Sequence, residues 1–369
     1  MKIVLTGGGT GGHIFPILSV ARALKEEIGE KEDLELLFLG TEGELEKEVM
    51  EKELIPAKKI VSGKFRRYFS VQNFIDVFKI PVGIIQSLFR LLAFMPDAIF
   101  AKGGFACVPV AIAAYIYRIP ILIHESDVMP GLANQILSRL AARVAISFPE
   151  SLSFFSEKKT FLSGNPIRKE LTEGNREEAM KKFSLSPDKK TILIIGGSQG
   201  SRAINHAVIG ILKRLLKSYQ IIHIIGKGEY ESVIHQVGEL GIKAGHEGYI
   251  AVPFLGEELP HVFALADLII SRAGANVMTE IAANAKPSIL IPLDGAANNH
   301  QEQNAFVFSQ AGAAITLEQN NLGENILFEK IEEILGNEEL RFEMSQRVKK
   351  FYNPEAARVI ADELINLSR

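Results

Sequence analysis

The first concentration of possible chemistry lies at the start of the chain, where a short apolar run, Ile3 to Leu5, gives way to GGGTGGH (Gly7–His13). Successive glycines let backbone N–H groups approach an anion, and a helix beginning just beyond adds its positive end. Gly7, Gly9 and Gly12 satisfy the G-x-G-x-x-G spacing of dinucleotide sites. A nicotinamide enzyme also wants an acidic residue closing the second strand. That strand ends Leu39-Gly40-Thr41, which counts against one. His13 stands where loop becomes helix, and an imidazole there, with an ordinary pKa of about 6.5, suits a general base. Local capping or packing is the competing explanation of the same histidine.

A second loop, GGSQGSR (Gly196–Arg202), contains a G-x-S-x-G, the nucleophile elbow of α/β-hydrolases with Ser198 as nucleophile. The matching position in the first half is GGGTG and carries no serine, so glycine is the shared feature. Ser198 therefore reads better as a hydroxyl donor to a diphosphate. In SRAGANVMTEIAANAKPSILIPL (Ser271–Leu293) a strand ends, a small-residue loop follows and a helix starts near Ala275, again offering N–H groups to a diphosphate. Glu280 on that helix suits the two hydroxyls of a ribose, or simply complements the helix dipole. AANNHQEQNA (Ala296–Ala305) is poor core material and good sugar-hydroxyl chemistry, unless Asn298 or Asn299 merely caps a helix. HESD (His124–Asp127) ends a strand on the edge where open α/β folds bind ligands. No DxD pair and no histidine or cysteine cluster has metal-ligand spacing, so neither a metal nor a cofactor is expected.

The elements that must position these residues follow a βαβ rhythm. Apolar runs of about five residues alternate with longer amphipathic stretches. Strands are expected at Lys2–Thr6, Leu34–Leu39, Ala98–Ala101 and Ile119–His124, and in a second series at Thr191–Ile195, Gln220–Ile225, Leu268–Ser271 and Ser288–Pro292. IVLTGGGTGG (Ile3–Gly12) and ILIIGGSQGS (Ile192–Ser201) open the two series alike, which predicts two doubly wound α/β domains. The 369-residue length agrees, being more than one core usually supports. The switch is placed near SGNPIR (Ser163–Arg168), giving residues 1–165 and 166–352, with a final helix over 353–369 packing back on the first domain. A formal charge of −3 gives no electrostatic footprint for nucleic acid, and the single cysteine, Cys107, fits a reducing compartment. No stretch reaches the roughly 20 apolar residues of a membrane span, and the N-terminus lacks the pattern of a signal peptide.

One segment points to a membrane surface nonetheless. From Phe74 to Phe100 the chain reads FIDVFKIPVGIIQSLFRLLAFMPDAIF, with Pro81 able to start a helix and Pro96 following its end. Val82, Ile85, Phe89 and Leu92 share one face, with Ile75 and Phe78 before them, while Ile84, Leu88 and Leu91 cover another. Such a helix is either fully buried or faces something apolar. Lys64, Arg66, Arg67, Lys79 and Arg90 border it, as an interfacial patch facing anionic lipid would require.

Taken in order, these motifs resemble the MurG family, the N-acetylglucosaminyltransferases that convert lipid I to lipid II in bacterial peptidoglycan synthesis. The resemblance runs nearly the whole chain: GGTGGH (Gly8–His13), GGF (Gly103–Phe105), HES (His124–Ser126), PGLAN (Pro130–Asn134), GNPIR (Gly164–Arg168), GGSQG (Gly196–Gly200), SRAGA (Ser271–Ala275) and NNHQEQNA (Asn298–Ala305). It implies a GT-B fold, two Rossmann-like domains facing a cleft, with UDP-N-acetylglucosamine held by the C-terminal half and the lipid-linked acceptor by the N-terminal half. It implies a peripheral protein on the cytoplasmic face of the bacterial plasma membrane. Donor-site residues carry over to Thr10, Gly11, Gly12, Asn134, Arg168, Ser198, Ala275, Asn276, Val277, Met278, Thr279, Glu280 and Gln301. A uracil-contacting position falls on Leu255, with Gly256 the ungapped alternative. His13, and after it Glu125, match family residues beside the chemistry, which implies base-assisted single displacement with inversion by the acceptor's C4 hydroxyl. Phe105 stands where many members have tyrosine, and Asp127 where many have asparagine. An epimerase acting on the same UDP-sugar and a serine hydrolase at Ser198 are the rival activities.

Overall fold

The computed structural model describes residues 1–8, 11–29, 33–41, 43–63, 71–197, 200–296 and 299–369, without the side chains of 45 and 71–78. The chain divides into two units, Met1–Arg168 with Asn353–Arg369, and Lys169–Tyr352.

The first unit runs β1 (Lys2–Gly7), α1 (Gly11–Ile28), β2 (Glu35–Gly40), α2 (Glu44–Lys52), β3 (Ala57–Lys59), α3 (Val71–Phe94), β4 (Ala98–Ala101), α4 (Cys107–Ile116), β5 (Ile121–Glu125), α5 (Leu132–Leu137), β6 (Arg143–Ile146) and β7 (Thr160–Leu162). Its described strands pair in the order β3-β2-β1-β4-β5-β6-β7, all parallel. Both faces of the sheet are covered, which is why β1, β4 and β5 are near-continuous apolar runs rather than alternating ones. Ile3, Leu5 and Phe100 pack towards α1, while Val4, Ile99 and Ile123 pack towards α4.

The second unit runs α6 (Arg176–Phe183), β8 (Lys190–Ile195), α7 (Arg202–Leu215), β9 (Tyr219–Ile224), α8 (Tyr230–Glu239), β10 (Tyr249–Val252), α9 (Leu259–Leu265), β11 (Leu268–Ser271), α10 (Ala275–Ala283), β12 (Ser288–Leu290), α11 (His300–Gln310), β13 (Ile315–Thr316), α12 (Glu324–Gly336) and α13 (Glu338–Val348). Its sheet is parallel in the order β10-β9-β8-β11-β12-β13. The last helix, α14 (Ala356–Leu367), belongs to the first unit, where Ile360, Ala361 and Leu364 complete the core around Ile17, Val20 and Leu24.

Each sheet therefore reverses its strand order once, between β1 and β4 and between β8 and β11. Ligand sites of open α/β sheets form outside the carboxyl ends of the strands at such points.

Pro81 does not start its helix. α3 begins at Val71 and carries Pro81 inside it. Proline there removes one backbone hydrogen bond; Pro81 lies on an exposed face, where water can take up the released carbonyl. One face of α3 packs tightly against α4 at Gly83, where a Cβ would come within 3.0 Å of Pro109 Cγ and collide with the Val61 carbonyl. Leu91 is buried on that side. Val82, Ile85, Phe89 and Leu92 are exposed on the other, at 48%, 54%, 69% and 59%, which a helix buried all round would not show. The side chains of Ile75 and Phe78, and residues Lys64, Arg66 and Arg67, lie outside the described residues; Lys79 and Arg90 are exposed. Among the described residues, no helix is long and apolar enough to cross a membrane.

Candidate active site

In the first unit the candidate residues collect at the carboxyl ends of β1, β4 and β5. Gly11 and Gly12 open α1, whose first turn has no acidic side chain, and His13 follows within that turn. The imidazole lies against the glycine pair after β4. A Cβ on Gly104 would meet His13 Cε1 at 3.4 Å, and the φ of +83° there already favours glycine. Burial lowers the His13 pKa to about 4, and the Lys102 charge adds to the effect; Asp127, a hydrogen bond with the Gly8 carbonyl and Glu46 oppose it. His13 is thus neutral at physiological pH, the state a general base needs.

Glu125 ends β5 and is almost fully buried. Its carboxylate accepts from Asp127 N–H, Gly131 N–H and Asn134 Nδ2, each at 3.0 Å. Burial and the neighbouring Asp127 raise its pKa, against the pull of Lys102 and these donors. A carboxylate engaged three times holds the loop between β5 and α5 in shape and has little capacity left to take a substrate's proton. Asn134 also donates to the His124 carbonyl at 3.0 Å, and its buried Oδ1 has no hydrogen-bond partner among the described residues. Arg168 stacks on Phe15 of α1 at 4.1 Å, so Pro166–Arg168 lie with the first unit.

In the second unit the loop after β8 leads into α7, where Ser201 caps the helix by accepting from Ile204 N–H at 3.3 Å. Thr10 and Ser198 lie outside the described residues. After β11, Gly274 precedes α10 with no side-chain cap, and no acidic residue follows in the first turn. The helix therefore starts without a side-chain cap from Gly274, and its first-turn N–H groups point out beyond the carboxyl end of β11. The six candidates on this helix divide by its period: Asn276, Val277 and Glu280 sit on a half-exposed face, whereas Ala275, Met278 and Thr279 are buried. Thr279 Oγ1 donates back to the Ala275 carbonyl at 2.8 Å, and the Met278 and Thr279 side chains face the core. Leu255 is buried too, beside a Phe254 that is 62% exposed. Gln301 on α11 accepts from Leu293 N–H at 3.0 Å, which leaves its Nε2 without a partner among the described residues. Asn299, at the start of α11, has a left-handed φ of 51° and makes no side-chain cap, so capping does not account for it.

The motifs hid three residues that hold these loops. Arg272 donates to the carbonyls of Ile291 and Pro292, at 3.2 and 3.1 Å, and to Gln319. Asn304 donates to the Ala273 carbonyl at 3.1 Å, tying α11 to the loop before α10. Lys102, beside His13, is buried at the end of β4. A lone lysine before two glycines carries no sign of burial in sequence; only the strand pairing gives it away.

The class of protein follows from both halves. Residues 3–146 match the glycosyltransferase family 28 N-terminal domain, and residues 191–361 the glycosyltransferase family 28 C-terminal domain. A curated relative from Clostridium kluyveri, the UDP-N-acetylglucosamine--N-acetylmuramyl-(pentapeptide) pyrophosphoryl-undecaprenol N-acetylglucosamine transferase, is 41% identical over 90% of this chain and 91% of its own. The crystal structure of Acinetobacter baumannii MurG covers 99% of each chain at 26% identity and a TM-score of 0.76. The chain belongs to the MurG family of N-acetylglucosamine transferases and has its GT-B fold. A UDP-GlcNAc 2-epimerase from Neisseria meningitidis superposes with a TM-score of 0.73 at 14% identity, a likeness of fold alone.

Proposed function

We propose that this enzyme transfers N-acetylglucosamine from UDP-N-acetylglucosamine to the C4 hydroxyl of the N-acetylmuramyl sugar of lipid I, forming lipid II, with inversion at the anomeric carbon. The observation that carries the reading is the 41% identity, over 90% of the chain, to a relative whose name states this donor sugar and a lipid-linked acceptor. The geometry around His13 supports the same chemistry. A neutral imidazole at a helix start takes the proton from the acceptor hydroxyl as its oxygen bonds to the anomeric carbon and the bond to UDP breaks. The diphosphate is met by the positive end of α10 and by the hydroxyl of Ser198. Glu280 and Gln301 serve the ribose and the sugar and Leu255 and its neighbours the uracil; Gly11, Gly12, Asn134 and Arg168 are the first unit's donor-binding residues.

Val82, Ile85, Phe89 and Leu92 form the face that meets the membrane holding the lipid, with Lys79 and Arg90 toward anionic headgroups. The protein then works as a peripheral enzyme on the cytoplasmic face. Release of UDP should require both the sugar nucleotide and a lipid-linked acceptor analogue. Equal release without the acceptor would contradict the reading.

A further inference from the structure

Lys102 lies in none of the motifs that carry the family resemblance, yet it occupies the centre of the first unit's site. Its backbone N–H donates to the Thr6 carbonyl at 3.0 Å, extending the β1–β4 ladder by one residue. That register places its side chain between the ends of β1 and β5, beside the turn that carries His13. The side chain is 2% exposed. Its ammonium donates to Ser126 Oγ at 3.0 Å, the one described acceptor for a group with three N–H bonds. A methionine would fill such a space without the several kcal/mol of desolvation that a buried ammonium costs. Burial pushes the ammonium's own pKa down, while Glu125 and Asp127 act to keep its proton on.

The groups facing Lys102 are the Glu125 and Asp127 carboxylates and the Cys107 thiol. Those facing His13 are Lys102, Asp127 and Glu46, with the Gly8 carbonyl. Glu125 and Asp127 lie in one tight loop, where Asp127 N–H donates to Glu125 Oε1 at 3.0 Å. Asp127 and Glu46 favour a proton on the imidazole, and a protonated base cannot accept the acceptor's proton. Asp127 acts on the imidazole directly, and Lys102 acts on it with the opposite sign. We propose that Lys102 is a positioning residue of the transfer reaction: its buried ammonium offsets Asp127 and Glu46 and so widens toward acid pH the range in which His13 can accept the substrate's proton. The inference rests on His13 being the base.

The test follows the His13 imidazole by NMR across pH in the full-length protein, alongside the pH dependence of kcat with UDP-N-acetylglucosamine and a lipid I analogue. Lys102→Met should raise the His13 titration by on the order of one pH unit, the scale on which a single nearby charge moves a side-chain pKa. Lys102→Arg should leave it in place, and Lys102→Met with Asp127→Asn should bring it back toward the parent value. The acid limb of kcat should move with the imidazole in each variant. An imidazole that titrates unchanged in folded Lys102→Met overturns the proposal. A shifted imidazole with an unmoved acid limb overturns the link to the reaction and His13 as base with it. Should Lys102→Met not fold, Asp127→Asn alone decides, because a rise in the His13 titration there contradicts the charge balance.

Discussion

Phe89→Asp isolates what the exposed face of α3 does. Phe89 leaves 69% of its surface in water. For an aromatic side chain of about 200 Å² that is about 140 Å² of mostly apolar area. Withdrawing it into lipid gains about 3 kcal/mol at roughly 25 cal/mol per Å². Introducing aspartate forfeits that gain and adds repulsion from anionic headgroups of about 1 kcal/mol. Together these lower affinity for the vesicle surface by about 100-fold or more. The fold should not suffer, since surface substitutions of this kind usually move stability by less than about 0.5 kcal/mol. Co-sedimentation with vesicles containing anionic phospholipid, paired with thermal unfolding, reads both quantities. Binding unchanged within about threefold, with the variant folded, would refute the assignment of this face to the membrane. A large loss of thermal stability would show that the face packs against protein instead.

Three further outcomes are expected. His13→Ala should lower kcat by about 100- to 10,000-fold while the KM for the donor changes little; equal loss in both would remove His13 from the chemistry. Glu125→Ala strands the N–H groups of Asp127, Gly131 and Asn134 that its carboxylate now accepts, so it should lower stability by about 3 kcal/mol in urea unfolding, and a shift below about 1 kcal/mol would deny it the loop-holding role. Stability should also fall as pH drops from about 6.5 to 5. His13 and His223 have pKa values lowered to about 4 and about 3, and His124 is lowered well below its ordinary range, all chiefly by burial. The unfolded chain then takes up protons that the native one refuses, at roughly 1.4 kcal/mol per pH unit for each histidine at most. Glu125, with its raised pKa, offsets part of this. Unfolding free energy that is flat or rising on acidification across that window would contradict the buried neutral imidazoles.

Much of the architecture was legible because burial on both sheet faces writes apolar runs into the sequence. Ala98–Ala101 and Leu268–Ser271 were bounded to the residue, each stopped by a charged residue and small-residue loop beyond. The short edge strands β3, β7 and β13 left little signal, since AKK, TFL and IT gain their strand character from neighbours rather than from their own composition. The glycine loops follow β1 and β8, at the sheet edge where open α/β folds bind ligands. Which side chains face it was harder to read. The helical period turns Met278 and Thr279 inward from a motif that reads as a continuous run of contacts. Glu125 reads as an acid beside a cleft until its three donors are counted. His223 gave no sequence sign at all, although it joins Tyr249 and Asn205 in a buried chain of hydrogen bonds at 3.0 Å each.

The most direct test of the central claim is mass spectrometry of the lipid product after incubating the enzyme with UDP-N-acetylglucosamine and a lipid I analogue. The account predicts one N-acetylhexosamine added to the lipid-linked sugar, in step with UDP released. UDP release without a disaccharide, or an epimerised sugar in place of transfer, would contradict it.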